Sequence, residues 1–147
     1  MPNPALPAAH AVFEAINSGD LSAIPDCVTD DFVDHGSPFP IPPGPDGYVR
    51  ILTWVSGVLA LRYEIVDTIT IDDRIVLRAV AHGSGVAQIH GPEAVGHDYL
   101  MPTIHIYRTE GTRLAEHWGV RDEVGAMIQM GVIPAPDPTG LDTATGE

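Results

Sequence analysis

The run from Thr112 to Gly131, TRLAEHWGVRDEVGAMIQMG, decides how the whole chain is read. Its first half alternates in the manner of a strand. Leu114, Glu116, Trp118, Val120 and Asp122 share one face, and Ala115, His117, Gly119 and Arg121 the other. Its second half, carrying Val124, Met127 and Ile128, reads as a short helix stopped by Gly131 and Pro134. Asp122 stands at the seam between the two. A carboxylate there either caps the helix or points into whatever the strand face encloses.

Outward from this run, Tyr99 to Arg108 reads as a strand and Glu110-Gly111 as a tight hairpin turn. A loop of Glu110 and Gly111 pairs Thr109 with Thr112, and a longer loop pairs Arg108 with Arg113; both give one register. In it His105 lies opposite Glu116, Thr103 opposite Trp118 and Tyr99 opposite Asp122. Tyr99, Met101, Thr103, His105, Tyr107, Glu116, Trp118 and Asp122 then line one surface. An apolar wall interrupted by a few convergent polar groups suits a ligand pocket. The opposite face, with Ile104, Ile106, Ala115 and His117, is mixed enough for a subunit interface. One bulge would exchange the two faces.

Upstream the chain is helical first. Residues 1–6 look like a flexible Pro-containing arm, followed by a helix from about Pro7 to Asn17 with Val12, Phe13 and Ile16 on one side. Asp20 is suited to cap a second short helix carrying Leu21, Ile24 and Val28. Residues 31–35 make a short strand. The stretch Gly36 to Gly47 holds five prolines and three glycines, so it reads as a stiffened loop that could form a lip over a cavity. Pro45 opens a third helix, with Tyr48, Ile51, Leu52, Val55 and Leu59 at helical spacing to about Ala60. Residues 61–71 and 75–82 are two further strands across the turn Asp72-Asp73-Arg74. A glycine-rich connection follows, and residues 135–147 read as a disordered tail.

Helices followed by a meander of strands indicate an α+β domain over residues 7–134, a strongly curved antiparallel sheet closed by helices into a cone with an apolar pocket. At 147 residues the chain suits one such domain. The net charge is −13 and all seven basic residues are arginine, which argues against nucleic acid and against an anionic membrane as partners. No signal-peptide pattern and no apolar run of membrane-spanning length is present, so a cytoplasmic location is expected. The single cysteine, Cys27, excludes an internal disulfide framework and reads as a buried, inert thiol.

The motif Trp118-x-x-x-Asp122-x-x-Gly125, continued by Gln129-Met130-Gly131, resembles the C-terminal signature of the SnoaL-like polyketide cyclases. These belong to the ketosteroid-isomerase-like, nuclear-transport-factor-2-like cone superfamily. Asn17-Ser18-Gly19-Asp20-Leu21, Phe32-Val33-Asp34-His35, Gly44-Pro45-Asp46-Gly47 and Asp73-Arg74-Ile75-Val76-Leu77-Arg78 have counterparts in the same order. The resemblance implies a homodimeric cone without a cofactor, acting on a small-molecule polyketide substrate, and no metal is expected. It implies an aspartate as acid/base in an intramolecular carbon–carbon ring closure, a role that falls on Asp122, and a pocket histidine that falls on His35. Many members carry Gly-x-His-x-Gly in the middle strand, where this chain has Ala81-His82-Gly83-Ser84-Gly85.

The expected catalytic set is therefore Asp122, His105, His35 and Tyr99, the last three stabilising a developing oxyanion. Trp118, Glu116, Thr103, Met101, Trp54 and Phe39 are the expected substrate-binding residues. Each has a structural alternative: Asp122 as a helix cap, His105 and Glu116 as a hydrogen-bonded sheet pair, His35 as satisfied core. Ring closure could also be pericyclic, of Diels–Alder type, with pocket shape as the catalyst. A non-catalytic cone binding an apolar ligand or a partner is the remaining alternative. Epoxide hydrolysis needs two carboxylates and an arginine around a water, and the inferred pocket face carries no arginine. A zinc site from His82, His90 and His97 fits no standard spacing.

Overall fold

The computed structural model describes residues 2–144. Helix α1 (Leu6–Ser18) and the short α2 (Ile24–Cys27) lead into strand β1 (Val28–Asp34). Helix α3 (Pro45–Thr53) runs on into a π turn at Trp54–Val58, then come β2 (Arg62–Ile71) and β3 (Arg74–Ser84). After α4 (Ala87–His90) and a 3-10 turn at Pro92–Ala94, β4 (Asp98–Glu110) and β5 (Arg113–Arg121) form the long hairpin. Helix α5 (Glu123–Gln129) follows, and then α6 (Thr139–Ala144).

The five strands form one curled sheet in the order β1-β5-β4-β3-β2, with β1 parallel to β5 and every other pair antiparallel. Its edge strands do not meet, so the sheet is a cone left open rather than a closed barrel. The concave face supplies the core. Ile75, Leu77, Ala79 and Ala81 from β3 and Met101 and Tyr107 from β4 pack against Val12, Phe13 and Ile16 of α1 and Tyr48, Ile51 and Leu52 of α3. The periodicity of each strand explains this, since alternate residues of β3 and β4 are buried in turn.

The hairpin register departs from expectation at two places. The turn is made by Gly111 and Thr112, because Glu110 pairs with Arg113. That change alone would leave the faces as expected. Ala115 is then a bulge: Thr109 pairs with Leu114 but Arg108 pairs with Glu116, leaving one surplus residue in β5. Leu114 and Ala115 are consecutive and both buried, which is the local signature of the bulge. Beyond it the faces are exchanged. His105 pairs with Gly119, Tyr107 with His117 and Thr103 with Arg121, while Glu116 and Trp118 join Arg108 and Ile106 on the convex face.

Three smaller expectations also change. Val28 belongs to β1 rather than to the second helix, because α2 ends at Cys27. The N-terminal arm is fastened: Asn3 donates to Thr109 Oγ1 at 3.1 Å and accepts from the Ala5 N–H at 2.8 Å. Part of the expected disordered tail forms α6, and residues 145–147 lie outside the described range. Strand β2 carries its own irregularity at Val66, between the pairs Ile65–Ala79 and Asp67–Arg78.

Helix α3 is fixed to the sheet by a buried hydrogen bond of 2.8 Å between the Tyr48 and Tyr107 hydroxyls. Burial raises both phenols far above their ordinary range, so both stay protonated and one donates to the other. Removing one hydroxyl strands its partner in an apolar interior, whereas removing both leaves nothing unsatisfied. Tyr107→Phe is expected to lower stability by about 1–2 kcal/mol in urea unfolding. The Tyr48→Phe, Tyr107→Phe double variant should recover part of that loss, and a purely additive result would contradict the account.

Candidate active site

The exchange of faces brings a buried polar chain to the inner end of the cone. Asp34, the last residue of β1, accepts the Gly36 N–H on Oδ1 at 2.8 Å. The same oxygen meets His117 Nδ1 at 2.6 Å, and the two side chains are only 4% and 5% exposed. His117 Nε2 meets His105 Nδ1 at 2.9 Å, and His105 Nε2 meets Thr103 Oγ1 at 3.0 Å. Thr103 Oγ1 in turn donates to the Ala79 carbonyl at 2.8 Å.

That last bond sets the protons along the chain. The single hydroxyl proton of Thr103 is spent on Ala79, so Thr103 accepts from His105 Nε2–H. Burial holds the His105 imidazole well below its ordinary range, with His117 and Arg121 adding to the effect, and the ring is neutral. Its Nδ1 is then bare and accepts from His117 Nε2–H. One proton remains, between His117 Nδ1 and Asp34 Oδ1. Both bonds to Asp34 fall on Oδ1, and Oδ2 takes part in neither.

Asp34, His105 and His117 line a small inner chamber with Tyr63 and Arg121. Burial raises the Tyr63 phenol, an effect partly offset by the Arg121 guanidinium beside it. Arg121 also donates to the Gly36 carbonyl at 3.3 Å. The same arginine lines a larger cavity of about 320 Å³, whose wall includes Ile51, Trp54, Val55, Leu61, Met101 and Met130, with Tyr99 and His90. Arg121 therefore stands between an apolar chamber that could hold a small organic molecule and a polar floor that could move a proton.

The expected site residues divide. His105, Tyr99, Met101, Thr103 and Trp54 face inward, with Thr103 behind His105 rather than against the cavity. Phe39 in the proline-rich lip packs edge-on against Trp54 at 5.0 Å. Glu116, Trp118 and His35 are on the convex side, which corrects the expected pocket face. There His35 stacks on Trp118 and bonds Glu116 at 2.8 Å, and Arg108 bonds Glu116 at 2.6 Å. The bulge at Ala115 is the physical reason for Glu116 and Trp118, and His35, one residue beyond Asp34, follows the opposite face of its strand. Arg121, for which no place on the pocket face was expected, is carried inward by the same bulge. Asp34 is the only carboxylate lining the inner chamber among the described residues, so the paired-carboxylate arrangement of epoxide hydrolysis is not built there.

Asp122 is exposed and caps α5: its Oδ1 accepts the Gly125 N–H at 2.9 Å. A side chain at Gly125 would bring a Cβ within 2.2 Å of the carboxylate, so the Asp-x-x-Gly spacing is explained by the cap itself. It does not line the cavity. His82, in the altered middle-strand motif, also points out, toward Glu64 at 3.4 Å. The residues missed by sequence reasoning are Asp34, Tyr63, His117 and Arg121. For Asp34 a signal existed, because alternation places it on the same face as Phe32, which is fully buried.

The sequence model of the SnoaL-like polyketide cyclases matches residues 8–130. No curated protein matches the chain in sequence. Among solved structures, IdmH of Streptomyces antibioticus is 24% identical with a TM-score of 0.72, over 84% of this chain and 96% of that one. TsrD of Streptomyces laurentii is 24% identical with a TM-score of 0.70, over 87% and 98%. A SnoaL-like polyketide cyclase of Agrobacterium tumefaciens is 20% identical with a TM-score of 0.73, over 89% and 100%. These likenesses are of fold.

Two outcomes are expected. Asp122→Asn, which keeps a capping oxygen, should unfold like the wild type, and Asp122→Ala should cost about 1 kcal/mol in urea unfolding; a loss several times larger would mean more than a cap. For His105 the folded value is depressed, so the unfolded chain binds a proton that the folded protein refuses. Its share of stability is complete above the ordinary imidazole value of ~6.5 and is lost as pH falls below it. His105→Gln should flatten that part of the stability profile, measured by urea unfolding across mildly acidic pH. The buried chain, the cavity above it and the match over most of the sequence lead to one conclusion: the protein belongs to the SnoaL-like polyketide cyclase family.

Proposed function

We propose that the protein closes a carbon ring within a linear polyketide by acid/base catalysis, using Asp34, Tyr63 and Arg121. The observation that carries this reading is the position of Asp34, with one oxygen held by Gly36 and His117 and its side chain lining the inner chamber beside Arg121. A methylene between two carbonyls is acidic enough for a carboxylate in such a setting to deprotonate.

In this reading the substrate lies in the apolar cavity with one carbonyl toward Arg121 and Tyr63. Asp34 Oδ2 takes a proton from the activated methylene, and the guanidinium and phenol hydrogen-bond the resulting enolate oxygen. The enolate carbon attacks a second carbonyl of the same chain. One C–C bond forms, the carbonyl π bond becomes an alkoxide, and the proton held by Asp34 returns to that oxygen. Atoms and electrons balance without a co-reactant. The His117–His105–Thr103 chain fixes the orientation of Asp34. The walls fold the flexible substrate so that the reacting carbons meet, which can supply several kcal/mol by itself.

The test is turnover of a linear poly-β-ketone presented as its N-acetylcysteamine thioester, with the ring product followed by mass spectrometry and NMR. Asp34→Asn and Arg121→Met, each assayed below its own unfolding temperature, are expected to lower the rate by about a hundredfold, and Asp122→Asn should be near wild type. If folded Asp34→Asn cyclises at the wild-type rate with no pH dependence, proton transfer is not the mechanism. The pericyclic reading, in which shape alone catalyses, would then take its place.

A further inference from the structure

The glycine-rich connection between β3 and β4 is folded. Gly85 N–H bonds the His97 carbonyl at 2.8 Å, Ala94 is fully buried, and α4 is closed by Gly91 at φ 100°. Within it the Val86 N–H donates to His90 Nδ1 at 2.9 Å. A nitrogen that accepts a hydrogen bond carries no proton, so the His90 proton is on Nε2. Burial lowers the basicity of the ring, in keeping with a neutral imidazole.

His90 packs edge-on against Tyr99 at 5.8 Å. Tyr99 lies across its strand partner Gly83, where any Cβ would come within 2.4 Å of the phenol oxygen. Only glycine admits the ring in that position. Both aromatic groups line the 320 Å³ cavity that Arg121 closes at its inner end. Exposed Ile89 and Glu123 are also part of the lining and mark the mouth on the His90 side. The cavity wall is thus mainly apolar, with the Arg121 cation where it meets the inner chamber and the neutral His90 N–H donor beside the exposed Ile89 and Glu123.

We propose that His90 Nε2–H, backed by Tyr99, is a second hydrogen-bonding station besides Arg121, which selects linear substrates that carry a further carbonyl oxygen near the cavity mouth. This rests on the cavity being the substrate chamber of the cyclase and adds a specificity-determining residue to it. Arg121 holds the reacting carbonyl, and His90 meets a second acceptor of the same chain. An oxygen acceptor near the mouth gains one hydrogen bond that an alkyl terminus there cannot make.

The test uses two unreactive esters, dimethyl azelate with a carbonyl at each end and methyl decanoate with one, titrated calorimetrically into the full chain. The ratio of the two affinities is the readout. His90→Phe is expected to reduce the diester's relative affinity roughly fivefold, the worth of one hydrogen bond. His90→Gln, which supplies an acceptor for Val86 and a donor for the ligand, should restore most of it. An unchanged ratio in His90→Phe overturns the proposal, as does a wild type that binds neither ester. A purely structural role would weaken both esters alike and leave the ratio where it was, which also overturns it. Neither ester has a methylene between two carbonyls, so binding is read apart from turnover. A shifted ratio with no cyclisation would sink the cyclase mechanism alone, and cyclisation with an unmoved ratio would sink the station alone.

Discussion

One surplus residue in β5 determines which chemistry this protein has. Ala115 bulges from the β4–β5 ladder, and every residue after it in the strand changes sides. With the bulge, the cone encloses His117, Gly119 and Arg121. Without it, Glu116 and Trp118 would be inside and the arginine in solvent. The bulge is tolerated because both Leu114 and Ala115 find apolar surroundings, so the strand pays little for turning two consecutive residues inward. Period-two alternation makes strand identity easy to recognise and strand facing fragile, since a unit error inverts the whole pattern.

What the bulge delivers is a polar chain in a place where polar groups are costly. Asp34, His117, His105 and Thr103 sit among Phe13, Tyr48, Tyr63 and Tyr107, and an unpaired carboxylate or imidazole there would oppose folding strongly. The chain is tolerable because each link is matched to the next and the series ends on a backbone carbonyl at Ala79. Such a series has a direction: the terminal hydroxyl fixes the tautomer of His105, which fixes that of His117. The only proton without a predetermined owner is beside Asp34, which shares the inner chamber with the arginine. Buried order and local reactivity have the same cause.

Much of the architecture was legible from the chain. Pro45 at the start of α3, the helical spacing of Tyr48, Ile51 and Leu52, and the alternation of β3 and β4 led to the right elements in the right order. The cone and its family followed from short motifs in sequence. The site was less legible. Tyr99, Met101 and Trp54 lie on the cavity wall as their spacing suggests, because they precede the bulge or lie on a helix, where facing is not in question. Glu116 and Trp118 were misplaced because the bulge leaves no mark stronger than two adjacent small or apolar residues. Asp122 was misjudged for a different reason. A carboxylate three residues before a glycine at a helix start satisfies both a cap and a motif, and only the hydrogen bond to Gly125 separates them. Alternation with Phe32 marks Asp34 as inward-facing, but its pairing with His117 required joining β1 to β5 across the sheet, a parallel pairing between the first strand and the last that no local pattern announces.

The irregularity at Val66 has a consequence for how the protein behaves in a crowded solution. Strand β2 is an edge, and it exposes Ile69 and Ile71 beside its unpaired backbone groups. A straight edge of that composition would be a template for strands of other molecules. The break in register twists the edge, and the Asp67–Arg78 ion pair directly after it puts charged side chains in the way of an incoming strand. With a net charge of −13 repelling copies of the same chain, the open side of this cone is guarded against fibril-like growth.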